Sequence, residues 1–311
     1  MAVSLALIGA GKWGAILRKN IENMSSATLA YQASRQWREL LAKEDIDGVI
    51  IATPPSTHAE IALAWIAKGI PVFIEKPMAL SSRDAKQIVA SAKEYDVPVQ
   101  VGHVHLYNSA FQKAKEISRD VGAIRFLIGE GSNNGPYRED YSALWDWASH
   151  DISVMLSVMG EMPRQVSAWG ASSTRPGTTL WDSAHLSLTF PSGTIGYITS
   201  SWLHPVKKNR LTIIGEESSI IYDDVLTENK VTLYEHMGPQ VEGTTITLQE
   251  PAISYPSYEV GAPVMRELEA FIDTIQNKTL PVSDAVLGAQ VVLILEKVEE
   301  SILKSGLPVS L

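Results

Sequence analysis

The chain has 311 residues, 45% of them hydrophobic, more than a single core usually holds, so two packed domains are expected. A formal net charge of -9 argues against nucleic acid or an anionic membrane surface as partner, because either needs a cationic face; an anionic ligand would have to be held by a local Arg or Lys. The absence of cysteine removes disulfides, thiolate nucleophiles and thiolate metal sites together.

Met1 to Ile8 has no basic region ahead of its apolar run and leads into a glycine turn, so it reads as a core strand rather than a signal peptide. No apolar stretch reaches the ~18 residues that a membrane span needs, which sets the expectation of a soluble, cytoplasmic protein. From there to about Gly122, short apolar runs alternate with amphipathic stretches. Val3 to Ile8, Gly48 to Ala52, Pro71 to Ile74 and Val97 to Val101 read as buried parallel strands. Thr57 to Lys68 reads as a helix ending at Gly69, and Ser81-Ser82-Arg83-Asp84 fits a capping box opening the next one. This order implies a doubly wound Rossmann sheet over residues 1–121.

Residues 122–311 change character. One helix, Leu144 to Met159 stopped by Gly160, is followed by alternating strands: Ala184 to Phe190 and Thr194 to Leu203 around Pro191-Ser192-Gly193, then Arg210 to Ile214, Ser219 to Tyr222 and Lys230 to Tyr234. Val264 to Ile275 and Asp284 to Leu303 read as closing helices. The expectation is an α+β domain with an open, mostly antiparallel sheet that binds substrate and supports a homo-oligomer, dimer or tetramer, because an exposed sheet face needs cover.

The first strand leads into Gly9-Ala10-Gly11-Lys12-Trp13-Gly14. In a dinucleotide turn the first glycine allows the tight bend, the second lets backbone approach the pyrophosphate, and the third lets helix and strand pack closely. A bare packing turn is the alternative, but the strand before and the helical stretch after favour the ligand. The residue that reads the adenosine ribose is expected ~20 positions on, where the chain has Ala33-Ser34-Arg35. No carboxylate stands there to accept a 2′-hydroxyl, and Arg35 could pair with a 2′-phosphate, which puts NADP slightly ahead of NAD; the other reading is a solvated arginine. Little chain separates Ser34 from the strand at Gly48, so the adenine-side edge of the sheet is expected to be abbreviated.

Ala52-Thr53-Pro54-Pro55-Ser56-Thr57-His58, then Glu75-Lys76-Pro77, then Leu144 to Ile152 and the closing Arg266-Glu267 to Asp273 stretch resemble the glucose-fructose oxidoreductase, inositol dehydrogenase and MocA (Gfo/Idh/MocA) family across nearly the whole chain. The resemblance implies oxidation or reduction at a hydroxyl-bearing carbon of a sugar, cyclitol or sugar nucleotide. It implies that Thr53, Pro54, Pro55, His58 and Glu75 line the cofactor, that Lys76 is the catalytic lysine, that Asp146 and His150 form an acid/base pair, and that Arg138 and Trp145 face substrate. The departure from the family lies in the short stretch after Ser34.

The residues themselves suit that chemistry. Removing hydride from an alcohol leaves a proton, so the site needs a base near neutral pKa and a group favouring the alkoxide. Asp146 and His150, four apart on an expected helix, would share a face extended by Ser153 and Ser157, letting the carboxylate orient the imidazole. Lys76 falls at the carboxyl end of a strand, where open α/β sheets place ligands. Taken without their motif, Lys76 is a surface lysine and His150 a satisfied helix histidine. His103 and His105, two apart at an expected strand end, invite a metal reading, but no third ligand is spaced for it, so no metal is expected and substrate contact or strand-end packing is left. Trp145 and Trp147 read as core or sugar-stacking rings, Arg138 as an anion-binding or solvated loop arginine, and Trp181 and Trp202 have no assignable role. A non-sugar diol or keto compound as substrate, or a non-catalytic NAD(P)-binding sensor of the same fold, are the alternatives.

Overall fold

The computed structural model describes residues 2–235, 240–247 and 250–311; Met1, the first residue of the expected first domain, lies outside them. In chain order the elements begin with β1 (Val3–Ile8), α1 (Lys12–Glu22), β2 (Ala27–Ala33), β3 (Gly48–Ile51), α2 (His58–Ile66), β4 (Val72–Glu75), α3 (Ser82–Glu94), β5 (Val99–Gly102) and α4 (Ser109–Ile117). There follow β6 (Ile124–Asn134), α5 (Ser149–Met159), β7 (Gln165–Ala171), β8 (Ser183–Thr189), β9 (Ile195–Ser201), β10 (Leu203–Gly215), β11 (Ser218–Asp223) and β12 (Val231–Glu235). The chain closes with β13 (Gln240–Glu242), β14 (Thr245–Thr247), β15 (Ala252–Ser254), α6 (Pro263–Asn277), α7 (Ala285–Leu303) and β16 (Val309–Ser310).

Two compact units result: Met1–Asn108 with Gly261–Leu293, and Ser109–Val260 with Ile294–Leu311. This differs from a single break after residue 121. The reason is α6, whose Leu268, Phe271 and Ile272 complete the core formed by Leu5, Leu7, Ile50 and Phe73 of the first sheet and Leu17 and Ile21 of α1. Phe271 meets Phe73 edge to face at 5.8 Å, a favoured aromatic geometry. Gly48 permits the close approach, since a Cβ there would lie 2.5 Å from Cδ1 of Ile275.

The first unit holds a parallel sheet in the order β2-β1-β3-β4-β5. Strands β3, β4 and β5 are buried along their whole length, as strands covered on both faces must be. The Ser81 hydroxyl caps α3 by accepting from the Asp84 backbone N–H at 3.1 Å, and Gly69 takes a left-handed φ of 76° just beyond α2. Strand β2 was not among the expected strands: as the sheet edge it alternates buried and solvated positions and carries Thr28, Tyr31 and Gln32. Only a six-residue 3-10 helix, Trp37–Ala42, joins it to β3, which is the abbreviation expected from the short connection.

The second unit is built on a nine-stranded sheet in the order β15-β12-β11-β10-β6-β9-β8-β7-β16. Its neighbours run antiparallel except β6 and β9, which are parallel. Central β6 also escaped the sequence pattern, because its inward positions include Gly129 and Gly131. Those glycines make room for the Asp151 carboxylate of α5: a Cβ on Gly129 would lie 2.9 Å from Oδ1, and one on Gly131 2.6 Å from Oδ2. The helix expected from Leu144 to Met159 is not regular throughout. Leu144–Ala148 forms a π-helical turn before α5 begins, and π-turns of this kind gather at functional sites.

Candidate active site

In the first unit the glycine turn is shaped by backbone approach. Gly9, at φ 132°, has its α-carbon against the Ala52 carbonyl, where a Cβ would collide, and a Cβ on Gly14 would collide with the Gly9 carbonyl. Gly11 is different, for a Cβ there would meet nothing within 4 Å. It is also the N-cap of α1, with extended backbone and no side-chain cap. The first N–H groups of that helix thus face an open space that suits a pyrophosphate. The residues present therefore fit a dinucleotide, with Gly9 and Gly14 keeping the turn tight and Gly11 leaving the approach clear. Lys12 is exposed, and the Trp13 indole N–H donates to the Glu75 carboxylate.

The Gly9 N–H donates to the Ala33 carbonyl at 2.8 Å, which sets Ser34 and Arg35, both exposed, immediately beyond the glycine turn. On the other side the Ala52 N–H donates to Ile8 at 2.7 Å, bringing Thr53, Pro54 and Pro55 alongside. Thr53 is bonded by the Thr57 hydroxyl at 2.8 Å.

His58 does not present its ring to a ligand. It is 1% exposed, with Nδ1 2.9 Å from the Pro77 carbonyl and Nε2 2.8 Å from the Thr53 carbonyl. Burial pushes its pKa down, against the pull of the two carbonyls. The ring is a bracket between the β3 loop and the segment after Lys76, so its place in the cofactor set is indirect.

Lys76 follows β4 directly and is half-buried. Glu75 beside it is buried, and its carboxyl is pushed up to about 7 by burial, against the lowering effects of Trp13 and Lys76. His103 is fully enclosed, and burial, with Lys76 and His105 adding to it, pushes its pKa down to about 3, so the ring is neutral. It does not lie on a strand end with His105. Strand β5 stops at Gly102, and both histidines belong to the 3-10 turn Val104–Tyr107 and its N-cap, where residues two apart do not share a direction.

In the second unit Asp146 is buried within the π-turn. Its Oδ2 accepts from the Trp202 indole N–H at 3.2 Å, and its Oδ1 lies 3.4 Å from Nε of Arg138. The Arg138 guanidinium also stacks 5.1 Å from the Tyr141 ring centre. Trp202 therefore has a role that spacing along the chain did not reveal. Arg175 was missed as well: it donates to the Arg138 carbonyl at 2.6 Å and lies 6.0 Å over the Trp202 ring. No motif marks either residue, since each reaches Asp146 or Arg138 from a remote strand or loop.

His150 opens α5 and is half-buried. The two serines expected to extend its face are bonded within the second unit. Ser153 is fully buried with its hydroxyl donating to the His150 carbonyl at 2.8 Å, and Ser157 accepts from Lys115 at 2.8 Å. Trp145 is 4% exposed and donates to Glu299 at 2.7 Å, which favours the core reading of that ring over substrate contact. Among the described residues no group of three His, Cys, Asp or Glu is arranged to hold a metal ion.

Residues 12–103 match a family model described as an oxidoreductase family with an NAD-binding Rossmann fold, and residues 102–221 match the Gfo/Idh/MocA C-terminal domain. The chain belongs to the Gfo/Idh/MocA family. Among curated relatives, the NAD(+)-linked scyllo-inositol 2-dehydrogenase of Bacillus subtilis is 28% identical over 64% of this chain and 61% of its own length. The UDP-N-acetylglucosamine 3-dehydrogenase of Acidithiobacillus ferrooxidans is 25% identical over 79% and 76%. A solved oxidoreductase structure from Magnetospirillum magnetotacticum MS-1 superimposes with a TM-score of 0.83, at 32% identity, covering 96% of this chain and 99% of that one.

The different surroundings of the three glycines give a direct test. Gly11→Val should leave the thermal unfolding of the protein within a few degrees of wild type yet abolish dinucleotide binding in a fluorescence titration, whereas Gly14→Val should lower stability as well. Equal loss of stability in both variants would refute the assignment of Gly11 to the ligand.

Proposed function

We propose that the protein is an NAD(P)-dependent dehydrogenase or reductase that moves a hydride between nicotinamide and a hydroxyl-bearing carbon of a sugar, sugar nucleotide or cyclitol. One observation carries this reading: a glycine turn open at Gly11 and a lysine at the carboxyl end of β4 occur in the same unit of a Gfo/Idh/MocA chain. Open α/β sheets bind their ligands at that end of the strands. The inositol and nucleotide-sugar substrates in the names of the relatives support the substrate class.

A bound nicotinamide supplies the hydride acceptor or donor. Lys76 hydrogen-bonds the reacting oxygen and stabilises negative charge as it develops there. His150 exchanges the hydroxyl proton. Asp146, held by Trp202 and Arg138, tunes His150, and Arg138 is the cation available to an anionic substituent. On the cofactor side Thr53, Pro54 and Pro55 line the nicotinamide, with His58 and Glu75 fixing that lining from behind. Lys76→Ala and His150→Ala should each lower kcat on the true substrate by roughly 10²- to 10⁴-fold while dinucleotide still binds; wild-type turnover in both variants would overturn these roles.

For the cofactor, the exposed Arg35 just past the glycine turn supports NADP over NAD. Separate titrations should show NADPH bound more tightly than NADH, and Arg35→Ala should weaken NADPH by about tenfold, the worth of one charge-assisted hydrogen bond, with NADH unchanged. Indifference of the wild type to the 2′-phosphate would refute the preference. A cytoplasmic location suits use of the soluble nicotinamide pool, and no helix among the described residues is long and apolar enough to cross a membrane.

The outer face of the nine-stranded sheet supports a homo-oligomer. Phe126 on β6 and Tyr197 on β9 point to that face and remain 37% and 47% exposed, leaving aromatic surface uncovered on one chain. Light scattering should give a dimer or tetramer that Tyr197→Asp shifts toward the monomer; a monomeric wild type would exclude the assembly.

A further inference from the structure

Two arginines of the second unit, Arg138 and Arg175, are tied into one closed circuit of contacts. Nε of Arg138 lies 3.4 Å from Oδ1 of Asp146, whose Oδ2 accepts from the Trp202 indole at 3.2 Å. The Arg175 guanidinium stands 6.0 Å from the centre of the Trp202 ring, and its Nη1 donates back to the Arg138 carbonyl at 2.6 Å. Both loops hang on Trp202, between β9 and β10: the Gly135 N–H donates to the Trp202 carbonyl and the Trp202 N–H to the Asp182 carbonyl, each at 2.8 Å. The buried Asp182 carboxylate takes the backbone N–H and the hydroxyl of Thr174 at 2.7 and 2.6 Å, which fixes the residue before Arg175.

Charge and hydrogen-bonding capacity in this circuit do not balance. Two guanidinium groups meet one carboxylate, and Arg175 has no carboxylate partner among the described residues. Glu139 and Asp140, the acidic neighbours of Arg138 in the chain, are exposed, and among the described residues neither bonds to an arginine. Nη2 of Arg175 is buried without an acceptor, and a buried N–H that bonds nothing is costly. Arg138, met by Asp146 at Nε, keeps 42% of its side chain exposed, so donors remain for a second acceptor.

We propose that Arg138 and Arg175 together form an oxyanion subsite, and that the alcohol oxidised or formed by this protein carries a carboxylate or phosphate group. This rests on the reading of the chain as a dehydrogenase of sugar-like alcohols. A guanidinium presents paired, coplanar N–H donors that match the oxygens of either group. An oxyanion entering at the exposed edge of Arg138 supplies the acceptor that Nη2 of Arg175 lacks. Because Nη2 is closed to solvent, the Arg138 side chain gives way as the anion seats.

Calorimetric titration of the full chain, with NADH or NADPH present, should compare glucuronate, glucose 6-phosphate and UDP-glucose with uncharged glucose. At least one charged sugar should bind roughly tenfold or more tighter than glucose, and which one does so separates a carboxylate from a phosphate monoester and a diphosphate. The advantage should shrink as salt is raised. Arg175→Gln should remove it, and so should Arg138→Gln at its exposed position. Arg175→Lys, which keeps the charge without the paired donors, should restore only part of it, with dinucleotide affinity unchanged throughout. Glucose bound as tightly as every charged sugar, no sugar bound at all, or an Arg175→Gln variant that keeps the preference would each overturn the inference. If a charged sugar binds through Arg175 but exchanges no hydride with either dinucleotide, the dehydrogenase reading falls while the subsite stands. Turnover confined to uncharged sugars has the reverse meaning.

Discussion

Everything in the first unit depends on how closely three stretches of backbone meet at the carboxyl end of the parallel sheet. The carbonyl of Gly9 lies against Gly14, and the α-carbon of Gly9 lies against the carbonyl of Ala52. A side chain at Gly14 would push α1 off β1, displacing Leu17 and Ile21 from the core they share with Phe73 and Phe271, and one at Gly9 would push the exit of β1 off that of β3. The same contact that makes the helix pack is therefore what points its uncapped N–H groups at open space. Packing and an open helix start are one constraint here, and of the three glycines of the turn only Gly11 is free of steric demand.

That constraint explains how the neighbouring polar groups are arranged. Burying polar side chains beside a tight backbone crossing is costly unless they are bonded. His58 meets the condition by spanning Thr53 and Pro77, and Glu75 by taking donors from Trp13 and from the backbone of Lys76. Both fix the exit of β4, and with it the backbone on either side of Lys76.

The parts of this molecule that could be read from sequence are those in which local chemistry and tertiary demand agree. Val3–Ile8, the glycine turn and the Ser81 cap declare themselves because a buried parallel strand, a tight turn and a helix start each allow few residue types. β2 and β6 did not, for opposite reasons. An edge strand is half solvated and looks polar, while β6 carries glycines where a strand would usually carry branched residues, because α5 brings Asp151 down onto it. The site was legible to a similar degree. Lys76, Asp146 and His150 sit in recognisable motifs, but Trp202 and Arg175 reach Asp146 and Arg138 across distances of sequence that no local pattern encodes. The histidine pair at His103 and His105 misled, because its alternation is a strand's only if the strand continues, and β5 ends one residue earlier.

In the second unit a polar cluster is built around the buried Asp146. Its carboxylate takes an indole donor from Trp202 and lies beside the guanidinium of Arg138. The π-turn that carries it widens the helix at that point and allows these partners to reach it. Arg138, 42% exposed and only 3.4 Å from the carboxylate, is held by one negative charge while remaining open to another.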